Sequence, residues 1–190
     1  MRPRIGVLAL QGDVEEHLAV LQRLDCKPAP VKTAEAIREC DGLVIPGGES
    51  TTIGKLVERF ELTPAIEELH QQGKPIFGTC AGLILLAKEI VGSDQFRLGY
   101  LDAQVERNAY GRQVDSFETT LRVKGIEGDP VRAVFIRAPA IERVWGKCEV
   151  LAEFGERPVL VRQGNLLGGA FHPELVGETR IHGYMLDMAR

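Results

Sequence analysis

The stretch Lys74-Pro75-Ile76-Phe77-Gly78-Thr79-Cys80-Ala81-Gly82-Leu83-Ile84-Leu85-Leu86-Ala87 decides the reading of this chain. A short apolar run ends in Gly78-Thr79-Cys80-Ala81-Gly82, and a second apolar segment of helical character follows at once. A strand feeding a sharp turn that feeds a helix is the grammar of a nucleophile elbow, whose central residue is held in strained backbone geometry. Glycines two before and two after that residue remove the Cβ atoms that would clash. The central residue here is Cys80, where the better-known hydrolases carry Ser. A cysteine at a helix N-terminus sits where the dipole and free N–H groups favour the thiolate. The same letters also describe a buried structural cysteine beside a glycine-rich turn, so catalysis needs a base.

Toward the N-terminus, strand and helix patterns alternate. Residues 4–10 read as a strand, and residues 13–24 as a helix with Val14, Leu18 and Leu21 on one face and Asp13 capping or charge-stabilising its start. Residues 28–31 form a second short strand, and Thr33 caps a helix to about Glu39 with Ala36 and Ile37 inward. Residues 42–45 are a third strand ended by Pro46. A helix covers residues 52–60, and Pro64 starts another that runs through His70 to Gly73. Apolar strands separated by helices imply an α/β fold with a mostly parallel central sheet flanked by helices on both faces. Beyond residue 98 the pattern changes. Residues 104–107, 117–123, 133–137, 149–154, 158–162 and 166–171 are short strand candidates with little helix between them, which implies added antiparallel strands in the second half. Residues 178–189 read as a closing helix carrying Ile181, Met185 and Met188. With no repeat and no long linker, residues 1–190 are expected to form one domain.

Composition narrows the function classes. A chain of 190 residues buries about 70% of its unfolded surface, enough for a sizeable core. The 23 Lys and Arg against 27 Asp and Glu give a net charge of −4, so no basic footprint for nucleic acid exists. Apolar runs such as residues 81–87 are far too short to span a bilayer. Met1-Arg2-Pro3-Arg4 leads into Ile5-Gly6-Val7-Leu8-Ala9-Leu10, and Gln11-Gly12-Asp13 cuts that run short, as in a buried first strand and unlike a signal peptide. Cys26, Cys40, Cys80 and Cys148 are scattered without metal-ligand spacing, so no metal or other cofactor is expected and a reduced, cytoplasmic protein is the default. Cys26, Cys40 and Cys148 are read as buried structural thiols.

Four histidines compete for the role of base: His17, His70, His172 and His182. His17 and His182 fall on helical faces among charged neighbours and read as surface residues; His70 falls near a helix end. His172 ends the apolar run Leu166-Leu167-Gly168-Gly169-Ala170-Phe171 and is followed by Pro173-Glu174. In extended chain, residues i and i+2 project from the same side, which makes Glu174 a neighbour of His172. Pro173 stiffens the link by fixing φ. A carboxylate beside an imidazole orients the ring and stabilises its protonated form, the third role of a triad. Alone, His172-Pro173-Glu174 also describes a strand-end turn with a solvated Glu; with Cys80 it completes a nucleophile, a base and an orienting acid.

A second glycine cluster, Pro46-Gly47-Gly48-Glu49-Ser50-Thr51-Thr52, also joins a strand to a helix. Such a turn presents backbone N–H groups at the carboxyl end of a parallel sheet. It lacks the Lys-Ser/Thr of a P-loop and the spacing of a dinucleotide fingerprint. An oxyanion site suits it better, with the N–H of Gly48 (or Gly47) and that of Ala81 as donors; a helix-capping turn is the plainer alternative.

Gly78-Thr79-Cys80-Ala81-Gly82 with the distant His172-Pro173-Glu174 resembles the class I, triad-type glutamine amidotransferases, which are flavodoxin-like α/β proteins. More narrowly, the chain resembles the family of glutaminase subunits of pyridoxal 5′-phosphate synthase. That narrower likeness rests on Leu8-Ala9-Leu10-Gln11-Gly12, on residues 46–52, on Val105-Glu106-Arg107-Asn108, on Gly111-Arg112-Gln113-Val114-Asp115-Ser116-Phe117-Glu118 and on Phe135-Ile136-Arg137-Ala138-Pro139, and so covers essentially the whole chain.

The resemblance implies that Cys80 attacks the side-chain amide of L-glutamine, that His172 passes a proton to the departing ammonia, and that Glu174 orients His172. It implies a substrate site lined by Gly48, Glu49, Ser50, Arg107, Ile136 and Arg137. The α-carboxylate of a free amino acid suits Arg107 or Arg137, and its α-ammonium suits Glu49. The resemblance also implies a partner, a (β/α)8-barrel synthase subunit that consumes the ammonia, with Gln11 near the interface. Three other readings remain at this point. A γ-glutamyl peptidase would use the same three residues on γ-glutamyl peptides without a synthase. An amidotransferase subunit of histidine, purine or anthranilate synthesis would differ in the family-specific blocks. A non-enzymatic α/β protein with a reactive Cys80 would not need His172.

Overall fold

The computed structural model describes residues 1–109 and 116–189. Of the family-specific stretch that begins at Gly111, residues 111–115 lie outside them.

The first half alternates as the sequence pattern requires: β1 (Arg4–Leu8), α1 (Val14–Leu21), β2 (Lys27–Val31), α2 (Ala34–Arg38), β3 (Gly42–Ile45), α3 (Ser50–Arg59), α4 (Thr63–Gln71) and β4 (Ile76–Thr79). The Thr33 hydroxyl caps α2 by accepting the Ala36 N–H, as expected. α5 (Ala81–Leu86) follows the elbow, then β5 (Ala87–Ile90), β6 (Leu101–Glu106), β7 (Ser116–Leu121), β8 (Val131–Ile136), β9 (Ala140–Val144), β10 (Glu149–Phe154), β11 (Arg157–Gln163) and β12 (Leu166–Gly169). A 3₁₀ turn (Pro173–Val176) and α6 (Arg180–Met188) complete the described chain.

Seven strands form the central sheet in the order β10-β11-β12-β4-β3-β1-β2. From β12 to β2 every neighbouring pair is parallel. β3, β4 and β12 are buried at every residue, the signature of a parallel sheet covered on both faces. β2, at the rim, is Lys27-Pro28-Ala29-Pro30-Val31. The Lys27 N–H bonds back toward the β1 side through Pro3, so the alternating prolines place their missing N–H groups on the open edge. An edge that cannot donate resists pairing with another chain.

The second half adds antiparallel strands as expected, β10 to β11 and β11 to β12, and goes beyond that pattern in two ways. β12 joins β4 in parallel on its other edge. Its sequence, Leu166-Leu167-Gly168-Gly169, is apolar throughout, as a strand buried on both faces has to be. β5 and β9 carry mixed polar and apolar residues and gave no clear pattern. They flank β6 in a separate three-stranded sheet, in which β5 and β6 are parallel and β6 and β9 antiparallel. β7 and β8 form an antiparallel ribbon. No helix among the described residues is long and apolar enough to cross a membrane.

Candidate active site

The four central strands β12, β4, β3 and β1 run parallel, so their carboxyl ends open on one crevice, where doubly wound sheets bind ligands. β1 delivers Gln11 and Asp13, β3 delivers Gly47 to Ser50, β4 delivers Cys80, and β12 delivers His172. The cleft has a volume of about 320 Å³. The lesser sheets complete its rim: Arg107 follows β6, and Ile136 and Arg137 close β8. Gln11, Gly48, Glu49, Ser50, Cys80, Ala81, Arg107, Ile136, Arg137 and His172, all singled out from sequence, line this cleft together. Glu174 stands behind His172, buried.

Cys80 has φ 51° and ψ −102°, the strained elbow conformation. Its glycine neighbours are required by close approach. A Cβ on Gly78 would lie 2.5 Å from the Gly82 carbonyl, and one on Gly82 would lie 2.1 Å from the Ile45 carbonyl oxygen. Four non-glycine residues among those described have positive φ, and three of them, Cys80, Asn108 and Arg137, line the cleft. Strained backbone concentrates where a fold has been shaped for a ligand. The Cys80 N–H is taken by the Gly169 carbonyl at 2.8 Å. Ala81 opens α5, so its N–H is one of the helix-start donors that no carbonyl of the same helix takes, one residue from the nucleophile.

His172 Nδ1 lies 2.7 Å from Glu174 Oε1, and the ring lines the same cleft as the Cys80 sulfur. The closeness of His172 and Glu174 was expected from extended chain; in fact Pro173 starts a 3₁₀ turn that folds the carboxylate back under the ring. The His172 N–H, held 2.7 Å from the Val134 carbonyl, fixes the start of that turn. Burial opposes the charged imidazole, but the neighbouring Cys80 and the Glu174 carboxylate, which accept from and attract the charged ring, outweigh it and push His172 up to about 10. Both neighbours thus favour the charged form of the ring. Burial also raises the Glu174 carboxyl, against the pull of His172.

The two glycine turns interlock. A Cβ on Gly12 would fall 1.7 Å from the Gly47 carbonyl oxygen, and one on Gly47 would meet His172 Cε1 at 2.5 Å. Gln11 Oε1 accepts the Glu49 N–H at 2.8 Å, so the residue expected at a partner interface also holds the substrate loop.

Three expectations are corrected. Asp13 makes no capping hydrogen bond to α1; its carboxylate instead lies 3.4 Å from His172 Nδ1, and burial raises its pKa. His17 and His182 are not surface residues. Both are fully buried, with His17 Nδ1 2.8 Å from His182 Nε2. Their helices pack their apolar faces inward, and charged neighbours in sequence said nothing of the histidines' own direction. Gln95 gave no signal at all, yet it accepts from Arg107 at 2.8 Å and donates to the Ser50 hydroxyl at 3.0 Å. Asp13, His172 and Glu174 bring their polar atoms within 4.8 Å of one another, but His172 Nδ1 is engaged on Glu174, and the group serves to order the imidazole.

The fold and the cleft define a class: α/β enzymes with a cysteine nucleophile elbow backed by histidine and a carboxylate. Residues 7–190 match the model of the SNO glutamine amidotransferase family, and the chain belongs to that family. It is 54% identical over 190 residues to the pyridoxal 5′-phosphate synthase subunit PdxT of Frankia alni, covering 99% of this chain and 96% of that protein. The PdxT subunit of Pseudothermotoga lettingae is 56% identical over 187 residues, 97% of this chain and 95% of that protein. A crystal structure of a glutamine amidotransferase superposes with a TM-score of 0.92 at 50% identity, over 97% of this chain and 98% of the other. PurLQS of Thermotoga maritima, at 19% identity and a TM-score of 0.71, shares the fold.

Proposed function

We propose that this chain is the glutaminase of a pyridoxal 5′-phosphate synthase, converting L-glutamine and water to L-glutamate and ammonia. The observation that carries this reading is the strained Cys80 sharing one cleft with His172, whose Nδ1 rests on Glu174. The Cys80 thiolate attacks the amide carbon, and the oxyanion that forms is met by the Ala81 N–H and that of Gly48 (or Gly47). His172 passes its proton to the departing nitrogen, which leaves as ammonia. Water, deprotonated by His172, then attacks the glutamyl thioester and releases glutamate and the free sulfur.

Substrate groups find matching partners on the cleft wall. Neither Arg107 nor Arg137 is ion-paired among the described residues, so either can take the α-carboxylate, and Glu49 can take the α-ammonium. Gly48, Ser50 and Ile136 shape the remaining wall. Residues 1–190 act as one glutaminase domain, and the four free, buried cysteines suit a reducing cytoplasm. The ammonia goes to a (β/α)8-barrel synthase subunit that docks over the Gln11 side of the cleft.

The test is ammonia release from glutamine, with and without that synthase subunit. Slow release that rises on adding the synthase and disappears in Cys80→Ala is the expected outcome. Full release by Cys80→Ala would sink the reading. Hydrolysis of γ-glutamyl peptides at the glutamine rate, indifferent to the synthase, would favour the peptidase instead.

A further inference from the structure

Behind Glu174 lies a buried polar set that the reaction above does not use: His17 of α1, Thr79 of β4 and His182 of α6, all without solvent exposure. His17 sits at its centre. Its Nδ1 is 2.8 Å from His182 Nε2, and its Nε2 is 3.1 Å from Thr79 Oγ1 and 3.5 Å from Glu174 Oε1. One ring thus touches the residue before the nucleophile, the triad carboxylate and the closing helix.

Protons can be assigned by elimination. Burial, and for His17 the neighbouring His182, lowers both rings well below the ordinary imidazole value, His182 to about 4, so both are neutral. A neutral ring carries one N–H. Were that proton on His17 Nδ1, the bare Nε2 lone pair would face a carboxylate oxygen. With the proton on Nε2, His17 points it at Thr79 and Glu174, and His182 Nε2–H donates to His17 Nδ1. The contacts of His17 with Thr79, Glu174 and His182 are then all attractive, and His182 Nδ1 is the one ring nitrogen of the pair left without a partner among the described residues. Glu174 has use for the donor: its Oε2 is buried with no hydrogen-bond partner among the described residues, so what stabilises the buried carboxylate converges on Oε1.

Resting on the reading of Cys80, His172 and Glu174 as a triad, we propose that His17 is a positioning residue, a neutral N–H donor that keeps Glu174 ionised and aimed at His172. His182 fixes its tautomer. The titratable groups around Glu174 are His172, His17 and Asp13. On the neighbouring elements, Glu178 and Arg180 pair with each other, and Glu178 also accepts the Arg132 N–H. A donor on a carboxylate favours its charged form. Removing it raises the Glu174 pKa, so activity is lost from the acid side at higher pH.

The test compares His17→Gln, His17→Asn and His17→Phe in glutamine hydrolysis with the synthase present. Gln reproduces a donor at the Nε2 position, Asn only one at the Nδ1 position, and Phe neither. Asn and Phe are expected to lower kcat by roughly tenfold with KM within about twofold of the parent. They also move the acid limb of the kcat profile up by about half a pH unit, while Gln keeps the parent limb. Equal behaviour of Gln and Asn, or an unmoved acid limb, overturns the proposal, and that comparison stands even where Phe does not fold. Urea midpoints measured alongside separate loss of turnover from loss of fold; a kcat that tracks only the folded fraction also overturns it. Cys80→Ala is the control: if it retains activity, the triad reading itself fails, a result distinct from any outcome at His17.

Discussion

At Cys80 the backbone is held at φ 51°, a conformation that costs a non-glycine residue on the order of 1–3 kcal/mol. What holds it is close packing of the turn, since the Gly82 Cα lies where any Cβ would strike the Ile45 carbonyl oxygen at 2.1 Å. Gly82→Ala is therefore expected to push the elbow off β3. Stability should fall by about 2 kcal/mol, as for other overpacked sites, and displacement of the sulfur should lower kcat roughly a hundredfold. Urea unfolding and steady-state ammonia release check both; parent-like turnover in this variant would show that the turn tolerates the methyl. This much was legible, because the glycine spacing encodes the steric need directly. Asp13 was not: an acid at a helix start looks like a cap, and only the fold brings it to His172.

At the scale of elements, α1 and α6 meet through two neutral imidazoles. His182 is held down to about 4, whereas in the unfolded chain it titrates near 6.5. The unfolded state then binds a proton that the folded state refuses, so stability is full above pH 6.5 and declines as pH falls toward 4. The shift corresponds to a loss on the order of 3 kcal/mol across that window. His182→Gln, which cannot take up a proton, should flatten this part of the curve of urea midpoint against pH. An unchanged acid slope would mean that other groups govern it. The existence of α1 and α6 was plain from their apolar spacing; that His17 and His182 point inward was not, since burial of a histidine depends on the partner it finds.

For the molecule as a whole, the binding cleft depends on Gln95 joining Ser50, at the start of α3, to Arg107, after β6. Gln95→Ala should free both side chains and raise KM for glutamine about tenfold while kcat changes little, because nothing in this bridge touches the sulfur. Steady-state kinetics decide it: an unaltered KM would mean that Arg107 and Ser50 hold their places without the bridge. The bridge spans 57 residues of sequence between loops of unrelated pattern, which is why no local signal marked Gln95.

Local pattern was enough for the parallel sheet, the strained elbow at Cys80, and the pairing of His172 with Glu174. Each of these follows from short-range rules: apolar strand runs, glycine spacing, and the short reach across Pro173. That β12 lies parallel to β4, which brings His172 to the cleft of Cys80, came from the packed fold. It alone placed Arg107, Ile136 and Arg137 on the same cleft, and it alone turned His17 toward Glu174. These are contacts between segments far apart in the chain, and they are chosen by packing and by the need of buried polar groups for partners, neither of which local pattern records.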